Sequence, residues 1–198
     1  ATFHSIHGAL QESRHVFIAN GLNEFEKSKE GISIFEMGFG TGLNAVLTSE
    51  FARTRKVSVQ YTSVEASPLP SVLVGQLNYP EILGFDPHLF KKMHAFDGKE
   101  MAINSYFKIA NHCSTIESYQ HTRSYHLVYY DAFGPGTQAS MWQESTLKPI
   151  YEAMKPGGIL VSFCAQGAFK RALKSLGFRV EAVPGPPGKR EMTRAHKS

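Results

Sequence analysis

The residues best suited to chemistry stand in one short stretch, Glu36-Met37-Gly38-Phe39-Gly40-Thr41-Gly42-Leu43-Asn44. Residues 32–35 before it are apolar and rich in β-branched types, as a buried strand requires. Leu43, Val46, Leu47 and Phe51 after it recur at helical spacing. The glycines therefore fall at a strand-to-helix turn, where small residues let backbone N–H groups approach a ligand closely. A dinucleotide loop would read G-x-G-x-x-G, and its last glycine would fall on Leu43. The spacing here is G-x-G-x-G, preceded by the acid Glu36. Residues 57–64 form a second strand, rich in β-branched and aromatic types, and Glu65 stands at its tip. A carboxylate there, about 20 residues past a glycine loop, can accept both hydroxyls of a ribose. The plain alternatives are a tight βα turn and a solvated strand-end acid. Two such features in the right order favour a nucleoside ligand.

Glu36 with the G-x-G-x-G loop resembles motif I of the S-adenosylmethionine (AdoMet) methyltransferases. AdoMet has no pyrophosphate to neutralise, and its amino group and sulfonium both favour a nearby carboxylate. By this resemblance Glu36, Gly38, Phe39, Gly40, Thr41, Gly42 and Asn44 surround the cofactor, and Glu65 takes the ribose. Many such enzymes carry an acid after the third strand for the adenine amine. The chain offers Ser114 and Thr115 there, with Asp97-Gly98 as the alternative. Asp131, just past a strong strand at 125–130, would face the sulfonium. A methylated amine must be neutral, so a carboxylate there can orient it and receive or relay its proton. Its competing role is to form the turn before Gly134-Pro135.

The elements that must position these groups follow in alternation. Helices are expected at 67–77, started by Ser67 with Pro68 in its first turn, at 89–96, and briefly at 115–119. A third strand is expected at 106–111 and a fourth at 125–130. A helix at 145–154 closes at Lys155-Pro156-Gly157-Gly158, before a fifth strand at 159–164 and a helix at 168–176. A hairpin starts at residue 178. Alternating strands and helices argue for an α/β fold with a mostly parallel, Rossmann-like sheet. The hairpin supplies an antiparallel C-terminal strand, as in the methyltransferase fold. Ligands in such sheets sit at the carboxyl ends of the strands, where Glu36, Glu65, Ser114, Thr115 and Asp131 all fall.

With 198 residues, the chain is expected to be one domain, with an N-terminal extension and helix over 1–31 and a Rossmann-like core over 32–198. Hydrophobic content of 42% and charged content of 19% suit a globular protein. No apolar run approaches a membrane span and no signal peptide is visible, so a cytoplasmic location without membrane association is expected. Cys113 and Cys164 lack metal-ligand spacing and read as reduced, packed thiols, and the histidines are scattered, so no metal is expected. Net charge of +4 permits a polyanionic partner. Much of the cationic charge lies near the C-terminus, at Lys170, Arg171, Lys174, Arg179, Lys189, Arg190, Arg194 and Lys197.

A more specific resemblance covers nearly the whole chain. Phe3-His4-Ser5, the stretch from Gly8 to Ile18, the glycine loop with Leu43-Asn44, Asp131-Ala132-Phe133-Gly134-Pro135 with Met141-Trp142, and Pro156-Gly157-Gly158 resemble the tRNA 5-methylaminomethyl-2-thiouridine methyltransferases. Gly185-Pro186-Pro187-Gly188-Lys189-Arg190-Glu191-Met192 completes the pattern. The departures are Phe3 where Tyr is usual and Thr115 where Asp is frequent. The resemblance implies methyl transfer from AdoMet, with S-adenosylhomocysteine as product, to the aminomethyl nitrogen of a modified wobble uridine in tRNA. Substrate contacts are expected at Glu12 and Phe133, and at Lys170, Arg171, Lys189 and Arg190, where the hairpin beside the fifth strand would make a continuous cationic surface. The alternative is internal, with Arg190 pairing with Glu191 or another carboxylate to fix the hairpin. In that family the domain can be fused to a flavin-dependent oxidoreductase. The length suggests a stand-alone form without flavin, and a separate enzyme would then supply the aminomethyl-uridine precursor. Methylation of a small-molecule amine is the rival enzymatic reading. A non-catalytic AdoMet- or RNA-binding module is the third.

Overall fold

A computed structural model describes residues 6–132, 136 and 138–198. The expectations placed on Phe3, His4, Ser5, Phe133, Gly134 and Pro135 lie outside the described residues. Eight strands form one sheet: β1 (Ile32–Met37), β2 (Val59–Glu65), β3 (Met101–Asn104), β4 (Phe107–Cys113), β5 (Tyr125–Tyr130), β6 (Met154–Ser162), β7 (Phe178–Pro184) and β8 (Glu191–Lys197). Their spatial order is β3-β4-β2-β1-β5-β6-β8-β7. The five strands from β4 to β6 run parallel, while β3, β8 and β7 pair antiparallel at the edges. β1 and β5 are buried along almost their whole length, the pattern of interior parallel strands covered on both faces. The chain winds outward from β1 through β2 to β4, then returns to β5 on the other side of β1. That reversal opens a crevice at the carboxyl ends of β1 and β5.

Helices cover the two faces. α1 (Ile6–Ser13) runs into a π-helical turn at Arg14–Ala19 and a 3-10 turn at Leu22–Phe25. This segment and α2 (Leu43–Arg55) close one face over Ile34, Tyr61, Tyr129 and Val161. After the short helices α3 (Ser71–Val74), α4 (Tyr79–Leu83) and α5 (Pro87–Lys92), α6 (Glu144–Ala153) and α7 (Gly167–Ser175) close the other face over Phe35, Tyr130, Trp142 and Leu160. Side chains alternate along a strand with period two. Continuing from Ile34 and Tyr61, that alternation directs Glu36 and Glu65 to the α1–α2 side; Asp131 and Phe163 stand just past the ends of β5 and β6, and Phe163 packs against both cores.

Several expected elements differ. The helix expected at 67–77 is only α3, because Pro68 and Pro70 disfavour helical backbone in the residues before them. The helix expected at 89–96 starts earlier, as α5, where the Asp86 carboxylate accepts from His88 N at 2.7 Å and Leu89 N at 2.9 Å. At 115–119 there is a single turn closed by Tyr119 N donating to Thr115 O at 3.1 Å. β3 was not expected at all; β6 begins at Met154, directly after α6, and so includes the Pro156-Gly157-Gly158 segment. Cys164 is buried as expected, but Cys113 is exposed. Among the described residues no helix is long and apolar enough to cross a membrane.

Candidate active site

The glycine loop leaves β1 at Met37 and enters α2 at Leu43. Gly38 adopts φ +86°, and a Cβ there would lie 2.7 Å from the Asp131 carbonyl oxygen. Only glycine lets the ends of β1 and β5 approach this closely. Gly40 also has positive φ, at +53°, but a Cβ there would meet nothing within 4 Å. The space above the loop is therefore open to a ligand. Glu65 reaches back from the tip of β2: Gly40 N donates to its Oε2 at 3.1 Å, and Ser67 N to its Oε1 at 2.9 Å. One carboxylate thus fixes the loop and the start of the next segment, and both oxygens keep a further lone pair for hydroxyl donors.

Asn44, at the second position of α2, joins the other two acids. Its Nδ2 donates to Glu36 Oε1 at 2.9 Å and to Asp131 Oδ2 at 3.0 Å. Glu36 is wholly buried, and burial holds its pKa well above the usual carboxylate range. Tyr61 and Asn44 oppose that rise; the negative charges of Asp131 and Glu65 add to it. The Tyr61 hydroxyl acts on Glu36 without completing a well-formed hydrogen bond. Glu36 Oε2, Asn44 Oδ1 and Tyr61 OH all lack a partner among the described residues. Asp131 is half-buried, and its pKa is pushed up to about 7 by burial. The Asn44 bond lowers it, nearby Glu12 raises it, and Lys189 lowers it. Buried polar atoms without partners are costly, and two carboxyls on one amide favour a cationic ligand. The residues present therefore fit AdoMet, which brings an ammonium and a sulfonium.

A groove of about 480 Å³ opens beside this loop, lined by Phe96, Asp97, His112, Ser114, Tyr119 and neighbouring residues. It lies next to Glu65, because Glu65 pairs with Cys113 in the β2–β4 register and Ser114 N donates to Glu65 O at 3.2 Å. Phe96 packs edge-on against Phe39 of the glycine loop, so the loop and the groove share a wall. Ser114 lines the groove; Thr115 turns to Ser118, with its hydroxyl donating to Ser118 Oγ at 3.1 Å. Asp97 lines the groove too, through a bridge to His112 that leaves β4 intact. The two alternatives for the adenine side therefore face one space.

The expected substrate contacts divide into paired and unpaired cations. Lys189 Nζ lies 2.7 Å from Glu12 Oε1 and 4.7 Å from the centre of the Phe163 ring. Lys170 Nζ lies 2.6 Å from Glu191 Oε2. Arg194 joins Glu181 and Glu24, and Arg179 also reaches Glu181. The continuous cationic surface expected from the sequence is thus interrupted by carboxylates. Among the described residues Arg190 closes no ion pair with Glu191 or another carboxylate; Lys170 holds Glu191, while the charge of Arg190 also acts on it. Arg171 and Arg190 are exposed and form no ion pair among the described residues.

Sequence reasoning placed Asn44 in the loop but did not find its bridge between two acids. It also missed Tyr61, the Thr48–Tyr129 hydroxyl pair at 3.1 Å beneath the loop, and Phe163. Period-two counting from the end of β2 would have put Tyr61 on the site's face; the Asn44 bridge carries no sequence signal. Among the described residues no cluster of three or more His, Cys, Asp or Glu could hold a metal ion.

A mostly parallel sheet with a terminal antiparallel hairpin, a G-x-G-x-G loop and acids at three strand ends define a methyltransferase architecture. The chain belongs to the S-adenosyl-L-methionine-dependent methyltransferases, whose family pattern matches residues 85–198. It is similar to the tRNA 5-methylaminomethyl-2-thiouridine biosynthesis bifunctional protein MnmC of Cupriavidus metallidurans, with 27% identity covering 96% of this chain and 30% of that protein. The MnmC of Acidovorax sp. strain JS42 is 28% identical, covering 98% of this chain and 32% of that one. This chain therefore spans about 30% of the length of such relatives. Among solved structures, MNMC2 from Aquifex aeolicus shares the fold with a TM-score of 0.73 and 23% identity, covering 97% of this chain and 62% of that one. DesVI from Streptomyces venezuelae shares it at a TM-score of 0.56 and 11% identity, covering 97% and 94%.

Proposed function

We propose that this chain methylates the aminomethyl nitrogen of 5-aminomethyl-(2-thio)uridine at the wobble position of tRNA. The observation that carries the chemistry is the Asn44-bridged pair of Glu36 and Asp131 at the sheet's switch point, beside an open glycine loop. The choice of substrate rests on the likeness to the MnmC proteins over nearly the whole chain. AdoMet, when bound, supplies an electrophilic methyl on sulfur. The chain's own residues do the rest. Glu36 and the backbone from Gly38 to Gly42, with Phe39, Thr41 and Asn44, hold the methionyl end. Glu65 accepts from the ribose hydroxyls, and Ser114 lines the adenine side, with Thr115 behind it on Ser118.

Asp131 would receive a proton from the incoming ammonium, freeing the nitrogen lone pair for the methyl group that bound AdoMet would supply. A carboxyl with a pKa near 7 is suited to that exchange at neutral pH. Glu12 stands on the acceptor side, where Lys189 now pairs with it, and Arg171 and Arg190, with Lys170 beside them on Glu191, lie toward the RNA backbone. A separate enzyme then supplies the aminomethyl precursor, and the reaction belongs to the cytoplasm. The test is mass analysis of nucleosides from tRNA bearing 5-aminomethyl-2-thiouridine after incubation with isotope-labelled AdoMet. One labelled methyl on the side-chain nitrogen is expected. Methylation of free amines with tRNA left untouched would favour a small-molecule enzyme, and no transfer to either would favour a binding module.

A further inference from the structure

We propose that Glu12, Phe163 and Asp131 form an ammonium-binding subsite, filled by Lys189 in the free protein and taken over by the protonated primary amine of the acceptor. This deepens the proposed function and rests on its reading of the acceptor as an aminomethyl group. Three elements converge there. Asp131 and Phe163 each stand two residues beyond the paired Tyr129 and Val161, just past the neighbouring carboxyl ends of β5 and β6. α1 covers that face and contributes Glu12. Lys189 comes from the β7–β8 turn, where Lys189 N donates to Pro186 O at 2.9 Å and Gly185 N to Arg190 O at 3.2 Å.

An exposed lysine ammonium is strongly hydrated and has little reason to lie over an aromatic ring. This one lies against a carboxylate oxygen at 2.7 Å and over a ring face at 4.7 Å. A carboxylate combined with a π-face is what binds an alkylammonium ion. Asp131 responds to the charges of both Glu12 and Lys189, so all three groups share one electrostatic neighbourhood.

The contact is also dispensable as a fastener. α1 and its continuation are tied to the terminal hairpin by His15 Nε2 on Pro184 O at 2.8 Å and by Arg194 on Glu24 at 3.2 Å. The Glu12–Lys189 pair is 32% and 40% exposed, so a competing cation can displace it at small cost. Once the acceptor's ammonium is seated, an N–H bond breaks and an O–H bond forms on Asp131. The freed lone pair then forms the N–CH3 bond as the methyl's bond to sulfur breaks and its electrons pass to sulfur.

The test is calorimetric titration of the intact chain, saturated with S-adenosylhomocysteine, using two uridines that cannot be methylated. One carries a 5-trimethylammoniomethyl group and the other a 5-neopentyl group of the same shape without charge. The cationic nucleoside should bind about ten-fold or more tightly than the neutral one, a difference of about 1.4 kcal/mol or more. Lys189→Met removes the internal competitor, so it should tighten the cationic nucleoside by about three- to ten-fold and leave the neutral one unchanged. Glu12→Gln, or Phe163→Leu as a second and independent variant, should erase most of the charge preference. Equal binding of the two nucleosides, no binding of either, or weaker cation binding in Lys189→Met would overturn the subsite. Wobble methylation of tRNA by the same preparations reports separately on the function. Methylation with charge-blind binding overturns the subsite alone, whereas charge preference without methylation overturns the tRNA reading and keeps the subsite.

Discussion

Replacing Asn44 with Ala removes one amide that serves two carboxyls, and the cost should depend on pH. Asn44 is buried, and its Nδ2 donates to Glu36 and Asp131 at 2.9 and 3.0 Å. At pH 8.5 Asp131 is ionised, and a hydrogen bond to a charged group contributes about 1.5–3 kcal/mol. The bond to Glu36 is counted alike at both pH values at about 0.5–1.5 kcal/mol, so the expected loss of stability is about 2–4.5 kcal/mol. At pH 6 Asp131 mostly holds its proton, its bond falls to about 0.5–1.5 kcal/mol, and the loss falls to about 1–3 kcal/mol. The difference of about 1–1.5 kcal/mol corresponds to about one pKa unit on Asp131.

The sign follows from linkage. Asp131 titrates near 7 in the fold and near 3.9 when unfolded, so the folded state binds the extra proton and stability falls as pH rises between those values. Without Asn44 the decline should extend upward to about pH 8. Urea unfolding of both proteins at pH 6 and 8.5 measures the two losses directly. Ala is the best helix former, so α2 itself should persist. The same loss at both pH values would refute the charge-assisted bridge, and so would a loss below about 0.5 kcal/mol at pH 8.5.

The parts of this molecule legible from sequence are those where one residue type has one physical reason to be present. Gly38 can be read because its backbone conformation and its approach to the Asp131 carbonyl exclude a side chain. The parallel strands can be read because burial on both faces demands continuous apolar runs, as in β5. The short helices were misjudged where local steric rules overrode pattern: Pro70 cut one helix to α3, and the Asp86 cap started α5 two residues before the first apolar position used to find it. β3 is a four-residue edge strand with a single buried side chain, Ile103, too short a run for alternation to be detected. The charge pattern near the C-terminus misled for a different reason. Two of its carboxylate partners, Glu12 and Glu24, lie more than 150 residues away and reach the hairpin only because α1 and the 3-10 turn fold across it, beside the local partners Glu181 and Glu191. Composition counts charges, whereas the surface depends on which of them meet.

Three further outcomes follow from the same geometry. Glu65→Ala should weaken AdoMet binding by about 1.5–3 kcal/mol in calorimetric titration, since it removes the ribose acceptor and frees Gly40 N; unchanged affinity in a folded variant would move the ribose elsewhere. Asp131→Asn should abolish the rise of kcat/KM through about pH 7 and lower methyl transfer far more than AdoMet affinity; a surviving limb near 7 would make Asp131 a turn former only. The last concerns RNA. Lys170 and Lys189 already neutralise carboxylates, so an RNA backbone gains most from the unpaired Arg171 and Arg190. Each phosphate contact on a duplex contributes about 0.9 to the log–log salt dependence of affinity and about 0.7 on a single strand, so Arg171→Gln with Arg190→Gln should flatten the slope for tRNA by about 1.5. Lys170→Gln should change that slope by far less, because its ammonium must leave Glu191 before it can meet a phosphate. Filter binding across a salt series separates the two, and an equal effect from Lys170 would show that the Lys170–Glu191 pair opens on contact with RNA.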